Sequence, residues 1–244
     1  MNTQVPPFDD VRVRRAVNLA VNRAVVARAS ATFVGAKPTC QILPPVFPGY
    51  MRYCPYTLHP GSNAWSAPDL SRARQLVAAS GTRGELVTVL EPHKYRGEAG
   101  PMTALLRSLG YRTRTKRVSD DIYSDPKRRP QNPNSRVQAG LFGWTADIPA
   151  ASNYFGVLFS CREPNLSHFC DPRIERQIGR ALALQSTDPY LANRLWARID
   201  RAVVDEAPVA PLYTSNWVDI DSRRVGDYEY NPQWGVLLGQ LWLR

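Results

Sequence analysis

Apolar residues recur at helical spacing near the start of the chain, just after the turn-forming stretch "PPFDD". One face of this predicted helix carries Val13, Ala16, Val17, Ala20 and Val21, and its arginines fall on the opposite face. Asp10 directly precedes the pattern and is the expected N-cap, because its carboxylate can accept from the free amides of the first turn. Asn22 is expected to cap a second short helix.

Further along, helical and strand periodicities alternate. The stretch 67–81 predicts a helix ended by Gly81, with Leu70, Ala73, Leu76 and Val77 directed inward. Residues 85–90 and 111–118 predict strands, and 100–110 predicts a helix between them. This order is a βαβ unit, so we expect the two strands to be parallel.

An alternating run over 137–143 follows a polar insert and predicts another strand. Just beyond it come Trp144 and Asp147, an aromatic residue and a single carboxylate. Ligands of open α/β sheets bind outside the carboxyl ends of strands. The pattern therefore places this carboxylate where a ligand would be met.

In the last third of the chain, two helical patterns are followed by short strand-like runs. Two helices are predicted over 172–184 and 189–207, with Thr187 or Asp188 as the cap of the second. From Pro208 onward the pattern predicts short strands broken by proline. We expect this tail to pack against something other than the βαβ unit.

Composition adds a strongly basic balance to a chain with ample apolar content. The 244 residues are 43% hydrophobic, enough for a packed core, and 31 Lys and Arg face 21 Asp and Glu for a net charge of +10. Such a charge permits contact with nucleic acid or anionic membranes. The arginines are scattered, and the dense clusters are Arg112, Arg114, Lys116 and Arg117, then Lys127, Arg128 and Arg129. Because no nucleic-acid motif accompanies these clusters, a solvated basic face is favoured. No apolar run approaches the ~20 residues that span a bilayer.

The four cysteines fall into two local pairs in turn-rich loops, Cys40 with Cys54 and Cys161 with Cys170. This arrangement favours two disulfides, which stabilise loops that lack a core of their own, and implies an oxidising compartment. Zinc held by Cys161, His168 and Cys170 is the alternative, although no fourth ligand follows at zinc-site spacing. Reduced structural thiols are a third interpretation.

Catalytic signatures are missing from the sequence. The histidines His59, His93 and His168 lie in turn-flanked segments, and no GxSxG, GxxxxGK[ST], GxGxxG or HExxH pattern is present. Acid pairs such as Asp120 and Asp121 are typical of turn starts. The sequence therefore favours binding over catalysis, with no cofactor and no resident metal.

Four stretches of the chain follow recognisable motifs. Residues 2–23 are similar to an N-T-x-x-P-P-F-x-D-x-R-V-R-x-A pattern with a following [DN]-R, and "PDLSRARQLVAASG" is similar to a D-P-x-x-A-x-x-L-L-x-x-A-G helix. "LFGWTADIPAASNYF" resembles G-W-x-x-D-x-x-D-P-x-x-[FY], and "VVDEAPVAPLY" resembles E-D-A-P-x-x-P-L-Y. Together, and in this order along the chain, these motifs resemble bacterial extracellular solute-binding family 5, the peptide-binding components of ABC importers.

The resemblance implies an α/β fold, a type II periplasmic-binding-protein lobe with a mixed sheet and flanking helices. It also implies that the chain corresponds to the C-terminal half of a longer protein. Residues 1–5 would then be the strand crossing between lobes, 6–207 the second lobe, and 208–244 a segment returning to a first lobe absent from this chain. A single lobe cannot close over a ligand, so we expect at most weak binding by the chain alone.

The resemblance further assigns binding roles to individual residues. Asp147 would pair with the α-ammonium of a peptide, Trp144 would wall the pocket, and backbone groups of Gly143 and Thr145 would hydrogen-bond the extended ligand. Arg96, or else Lys94, would meet the ligand carboxylate near the start of a helix.

Two alanines mark a departure from the family pattern. Ala150 and Ala151 replace its second acid and proline, which leaves the choice of substrate open. Some family members carry paired cysteines, which supports a bridge between Cys161 and Cys170.

The expected partners are a peptide or similar small solute and the permease and ATPase subunits of an importer. We expect an extracytoplasmic monomer, in the periplasm or on the cell-envelope surface, attached to the membrane through the permease or a lipid anchor and without nucleic-acid contact. Two alternatives remain: a ligand-sensing module of a larger regulatory protein, and a binder of nickel or another non-peptide solute.

Overall fold

The computed structural model describes residues 1–29, 35–93, 97, 99–119, 137–162, 165–215, 220–231 and 235–244. Its helices are α1 (Val11–Ala20), α2 (Arg23–Ala29), α3 (Leu70–Ser80), α4 (Ala99–Ser108), α5 (Ser152–Leu158), α6 (Pro172–Leu184) and α7 (Pro189–Glu206). Its strands are β1 (Lys37–Pro38), β2 (Leu86–Pro92), β3 (Arg112–Val118), β4 (Ala139–Gly140), β5 (Tyr213–Thr214), β6 (Val225–Gly226), β7 (Tyr230–Asn231), β8 (Gly235–Val236) and β9 (Trp242–Leu243). Short 3₁₀ turns cover Pro60–Ser62 and Leu238–Gln240.

Helix α1 begins as predicted, because an Asp10 carboxylate oxygen accepts from the Arg12 amide at 2.8 Å. Asn22 caps α2 in the same way, accepting from the Val25 amide at 3.1 Å. The prediction that all arginines of α1 face solvent is wrong for Arg14, which is 5% exposed. Its guanidinium is drawn inward because it donates to the carbonyls of Phe8 and Glu206, at 2.9 and 2.8 Å.

A three-stranded sheet in the order β3-β2-β4 lies at the centre of the first half, and both of its pairings are parallel. Strand β2 pairs with β3 along its whole length, and α4 connects the two, so the predicted βαβ unit is confirmed. The described two-residue ladders β1–β5, β6–β9 and β7–β8 are antiparallel.

Strand β4 is shorter than the predicted run 137–143. Only Ala139 and Gly140 pair with β2. Just before them, the Gln138 side chain takes part in the ladder, since its amide oxygen accepts from the Thr88 amide at 2.7 Å. Beyond Gly140 the chain leaves the sheet and forms the loop described below.

Helix α3 is capped by Asp69 and ends at Gly81, whose φ of +74° lies in the left-handed region that glycine adopts freely. Ala73 and Val77 are buried as predicted. Leu70 is 39% exposed, so its predicted inward position is wrong. As the first residue of the helix it lies at the rim of the core.

Buried apolar side chains form two main clusters. The first joins α1, α3, α4 and the sheet through residues such as Val17, Val77 and Leu106. The second joins α5, α6 and α7, where Trp196 stacks on Phe155 with ring centroids 5.9 Å apart. Helix α7 contributes to both clusters and so fixes one relative to the other.

The proline-rich stretch between α2 and α3 is ordered by covalent and polar contacts. A disulfide joins Cys40 to Cys54, as the sequence predicts. Asp200 of α7, 2% exposed, accepts from the Gln41 side-chain amide at 2.7 Å and from the Ile42 and Leu43 backbone amides at 3.0 and 3.4 Å. Burial raises the pKa of this carboxyl to about 6.

Helix α7 is capped by Asp188, which accepts from the Leu191 amide at 3.0 Å, so the cap is Asp188 rather than Thr187. After α7 the chain pairs β5 with β1 and then forms short ladders. Its later part leaves large apolar side chains exposed, among them Ile220 at 94% and Leu238 at 75%. The assignment of 208–244 to a first lobe, like those of 1–5 and 6–207, stays a prediction.

Candidate functional site

Helix α5 positions the loop that follows β4. Sequence analysis did not predict this helix, although buried apolar residues at a spacing of four, Ala151, Phe155 and Phe159, mark its inner face. Phe155 is fully buried against Trp196 of α7. The helix is therefore fixed to the second core, and the loop 141–151 is held between it and the sheet.

Asn153, in the first turn of α5, is the polar centre of this loop. Its Oδ1 atom accepts from the Trp144 indole Nε1 and from the Asp147 backbone amide, both at 3.1 Å. Its Nδ2 atom donates to Asp147 Oδ2 at 3.3 Å. Asn153 is 9% exposed, so these bonds are made largely out of water.

Asp147 itself is exposed. Within the described part of the chain no lysine, arginine or histidine forms an ion pair with its carboxylate, and no donor contacts its Oδ1 atom. Five other described acids have a different arrangement, since each pairs with an arginine: Asp10, Glu91, Asp171, Glu175 and Glu206. The site therefore presents a negative charge that is anchored on one oxygen and open on the other.

The predicted pocket wall, Trp144, is half-buried and packs against the second core. Its ring contacts that of Phe142 at a centroid distance of 6.0 Å, and Phe142 is 44% exposed. Gly143 and Thr145 are exposed, and their backbone groups make no backbone hydrogen bond to any described residue. A Cβ placed on Gly143 would meet nothing within 4 Å, so this backbone is accessible.

The predicted cations Arg96 and Lys94 lie outside the described residues. The start of α4 nearby is occupied by a carboxylate from the protein itself. Glu91, 2% exposed at the end of β2, accepts from the Gly97 and Ala99 amides at 2.8 and 3.2 Å and pairs with Arg117 at 2.9 Å. Burial alone would raise the pKa of Glu91, but these donors outweigh it and the net pKa is lowered.

The second predicted disulfide, Cys161–Cys170, closes the loop that follows α5. The proposed zinc trio with His168 is wrong, because the two sulfurs are bonded to each other. Among the described residues no group of three His, Cys, Asp or Glu side chains could hold a metal ion. The loop also holds the start of the chain, since the Thr3 amide donates to the Ser167 carbonyl at 2.8 Å.

A comparison with protein-family models finds one that covers residues 1–165 of the chain. Its description is "Bacterial extracellular solute-binding proteins, family 5 Middle". The chain belongs to this family. The match includes β4, Asp147 and Asn153 and ends inside the loop closed by Cys161 and Cys170.

Curated relatives of this family 5 chain are similar over its whole length. One is the "Probable deoxycholate-binding periplasmic protein YgiS" of Escherichia coli, 24% identical over 100% of this chain and 44% of that protein. Another is the "Probable di/tripeptide-binding protein 5" of Pseudomonas aeruginosa, 26% identical over 95% of this chain and 43% of that protein. The chain therefore spans less than half the length of these relatives.

Solved structures show the same fold. The "ABC transporter-associated periplasmic binding protein DppA from Helicobacter pylori in complex with peptide STSA" matches 100% of this chain and 46% of that one, with a TM-score of 0.78 and 22% identity. The predicted fold, a type II lobe with helices flanking a sheet, is confirmed by this likeness.

Sequence reasoning missed two residues of this family 5 site, Asn153 and Glu91. Asn153 lies six residues after the recognised acid, and the spacing of Ala151, Phe155 and Phe159, which marks the helix that carries it, was the available signal. Glu91 ends an apolar strand, where an acid followed by a helix start is a plausible cap. In the described part of the chain no helix is long and apolar enough to cross a membrane.

Proposed function

We propose that this chain is the ligand-capturing part of an extracytoplasmic substrate-binding component of an ABC importer, and that it takes peptides by their amino terminus at Asp147. The observation that carries the proposal is the exposed carboxylate of Asp147, fixed on one oxygen by Asn153 and without a cation partner among the described residues. A surface carboxylate that is held by a buried asparagine and has no protein cation beside it is available to a cationic group of a ligand.

A peptide's amino terminus suits this arrangement. A primary ammonium has three donors and a full charge, and charge-assisted hydrogen bonds are the stronger kind. The exposed backbone of Gly143 and Thr145 next to the acid can then bond the extended ligand as an added strand does. Trp144 and the exposed Phe142 supply an aromatic surface for the first side chains.

The names of the relatives support peptides without fixing the substrate. One is named for di- and tripeptides and one solved neighbour holds a peptide, whereas another relative is named for deoxycholate. Deoxycholate carries a carboxylate and no ammonium, so Asp147 would repel it. The charge of this site therefore favours peptides over bile acids.

Transport partners and compartment follow from the same proposal. A permease and ATPase subunits would receive the ligand, after residues 6–207 close with another lobe over it. The two disulfides fit an oxidising compartment outside the cytosol. Attachment through a lipid anchor and a monomeric state belong to the proposal as well.

The test is a titration of the isotopically labelled chain with leucyl-leucine, followed by NMR at millimolar peptide. We expect saturable shifts at the Asp147 and Thr145 amides, and about fivefold weaker binding of N-acetyl-leucyl-leucine, because an exposed ion pair contributes up to about 1 kcal/mol. Deoxycholate at the same concentrations should leave these two amides unmoved.

Asp147→Asn keeps the shape of the side chain and removes its charge, so it should abolish the preference for the free amine. Asp221→Asn, which neutralises an exposed acid in the C-terminal segment, is the matched control and should change nothing. Equal binding of the two peptides by the unmodified chain, or an unchanged preference in Asp147→Asn, would refute the ammonium role.

A further inference from the structure

We propose that Asn153 is a positioning residue that gives the site its selectivity for an ammonium next to an apolar first side chain. The inference rests on the proposed function, since it concerns how Asp147 is presented to the ligand. Asn153 is almost fully buried and contacts Asp147 and Trp144, so it acts on the ligand through these two residues.

The orientation of the Asn153 amide follows from the chemistry of its partners. The Trp144 indole nitrogen and the Asp147 backbone nitrogen can only donate, and both approach the same Asn153 atom at 3.1 Å. That atom must be the oxygen. The amide nitrogen is then directed at Asp147 Oδ2, an acceptor, and a flipped amide would place donors against donors.

The consequence for Asp147 is a side chain held at both ends. Asn153 accepts from its backbone amide and donates to its carboxylate, so one residue fixes the main chain and the charged group of another. Holding the carboxylate in one rotamer before the ligand arrives lowers the entropy lost on binding. The second carboxylate oxygen is left for the ligand's N–H.

The consequence for Trp144 is that its only side-chain donor, the indole N–H, is already used by Asn153. Because the indole N–H is bonded to Asn153, the ring offers the ligand an apolar surface and no hydrogen bond. Phe142 beside it is 44% exposed, and Ile148, next to the acid in sequence, is 49% exposed. A ligand whose first side chain needs a donor finds none on this ring, so the site favours peptides that begin with an apolar residue.

Asn153 is itself fixed by packing. It follows Ser152 at the start of α5, two residues before Phe155, which stacks on Trp196 at 5.9 Å. The hydrogen-bonded group is thus carried on a helix attached to the core of the second cluster. A rigid support of this kind is what a preorganised site requires.

The experiment compares the unmodified chain with Asn153→Ala, using leucyl-leucine, N-acetyl-leucyl-leucine and seryl-leucine as probes in the NMR titration. In Asn153→Ala the Trp144 indole N–H signal should move to the position of a free indole. The preference for the free amine should fall from about fivefold to less than about twofold, because the acid is no longer held. The preference for leucyl-leucine over seryl-leucine should fall with it.

Asn165→Ala is the matched control. Asn165 is 8% exposed, accepts from the Ser167 hydroxyl and the Phe169 amide, and has no hydrogen bond to Asp147 or Trp144. It removes an equally buried amide, and its peptide preferences should equal those of the unmodified chain. A folded Asn153→Ala that keeps the fivefold preference overturns the proposal.

If Asn153→Ala does not fold, the proposal is tested on the Asn153 side-chain signals of the unmodified chain. The Asn153 side-chain NH₂ signals should shift with leucyl-leucine at the same Kd as the Asp147 amide, and the acetylated peptide should shift them only at about fivefold higher concentration. Silent NH₂ signals overturn the inference. If Asp147→Asn abolishes the preference for the free amine but Asn153→Ala retains it, this inference is wrong and the proposed function stands. If the unmodified chain has no preference at all, both proposals fall.

Discussion

Replacing Asp200 by asparagine should remove a specific pH dependence of stability. Asp200 is the buried acid of α7 that holds the stretch 41–43 through three donors. Asparagine keeps the volume and one acceptor oxygen but cannot ionise. Its amide nitrogen would face a donor where the second oxygen of Asp200 accepts, which lowers stability at every pH, so the effect of ionisation is read from the pH-dependent part of the difference alone.

The direction in which stability changes with pH follows from the raised pKa of Asp200. Burial lifts the pKa of Asp200 from 3.8 to about 6, so between these values the folded state binds a proton that the unfolded state has released. Stability accordingly falls as the pH rises through this window and is constant above it. A shift of about two units corresponds to roughly 3 kcal/mol at most.

The assay is urea unfolding of the oxidised chain at several pH values from 3.5 to 8, for the unmodified chain and for Asp200→Asn. The difference in free energy of unfolding between the two proteins should change by about 3 kcal/mol from the acidic to the neutral end, whatever its constant offset.

Asp171→Asn is the control for the sign. The hydrogen bond from the Arg173 side chain is the main cause that lowers the pKa of Asp171, so this acid contributes stability at neutral pH that is lost as the pH falls. Its replacement should change the pH profile in the opposite direction. A pH-independent difference between Asp200→Asn and the unmodified chain would show that Asp200 titrates normally, and would refute the reasoning.

Two further predictions concern packing. Arg23→Met should destabilise the fold by about 3 kcal/mol, because the guanidinium of this fully buried residue donates to backbone carbonyls that would be left without a partner. The control, Arg72→Met on the exposed face of α3, should cost less than about 0.5 kcal/mol. Equal effects in urea unfolding would contradict this reading. Gly49→Ala should destabilise the fold by about 2 kcal/mol, because Gly49 has a φ of +88° and its new Cβ would lie 2.9 Å from Trp196 Cβ. Gly179→Ala, on the open face of α6, should instead stabilise the fold by up to about 1 kcal/mol. Thermal unfolding measures both changes, and shifts of the same sign would be evidence against the packing argument.

Features that depend on a few neighbouring residues could be predicted from the sequence. The caps at Asp10 and Asp188 and the end of α3 at Gly81 each depend on residues within one turn. The βαβ unit followed from the change of period between strand and helix. The disulfides were predictable because each pair lies within one short loop.

Features that depend on distant residues could not be predicted. Glu91 binds the start of α4 because strand β2 carries it there, and the exposure of Leu70 depends on where the first turn of α3 lies relative to the core. In the site, Asp147 was found through a resemblance, but its support was not. Asn153 became visible only when one amide was seen to contact both the indole and the acid.

The arginines show why net charge is a poor guide to a partner in this chain. Arg15 donates to the Asp205 carbonyl at 2.9 Å, Arg14 donates to the Glu206 carbonyl at 2.8 Å, and Arg23 donates to the Pro211 carbonyl at 2.7 Å. These cations meet the carboxyl-terminal end of α7 and the chain just after it, where free carbonyls and the helix dipole favour positive charge. The predicted solvated basic face is exposed where the structure describes it, at Arg112, Arg114, Lys116 and Arg117, whereas Lys127, Arg128 and Arg129 lie outside the described residues. Part of the excess positive charge joins the first helices to the last one. In the function proposed above, the charge that would act on the ligand is instead the negative one of Asp147.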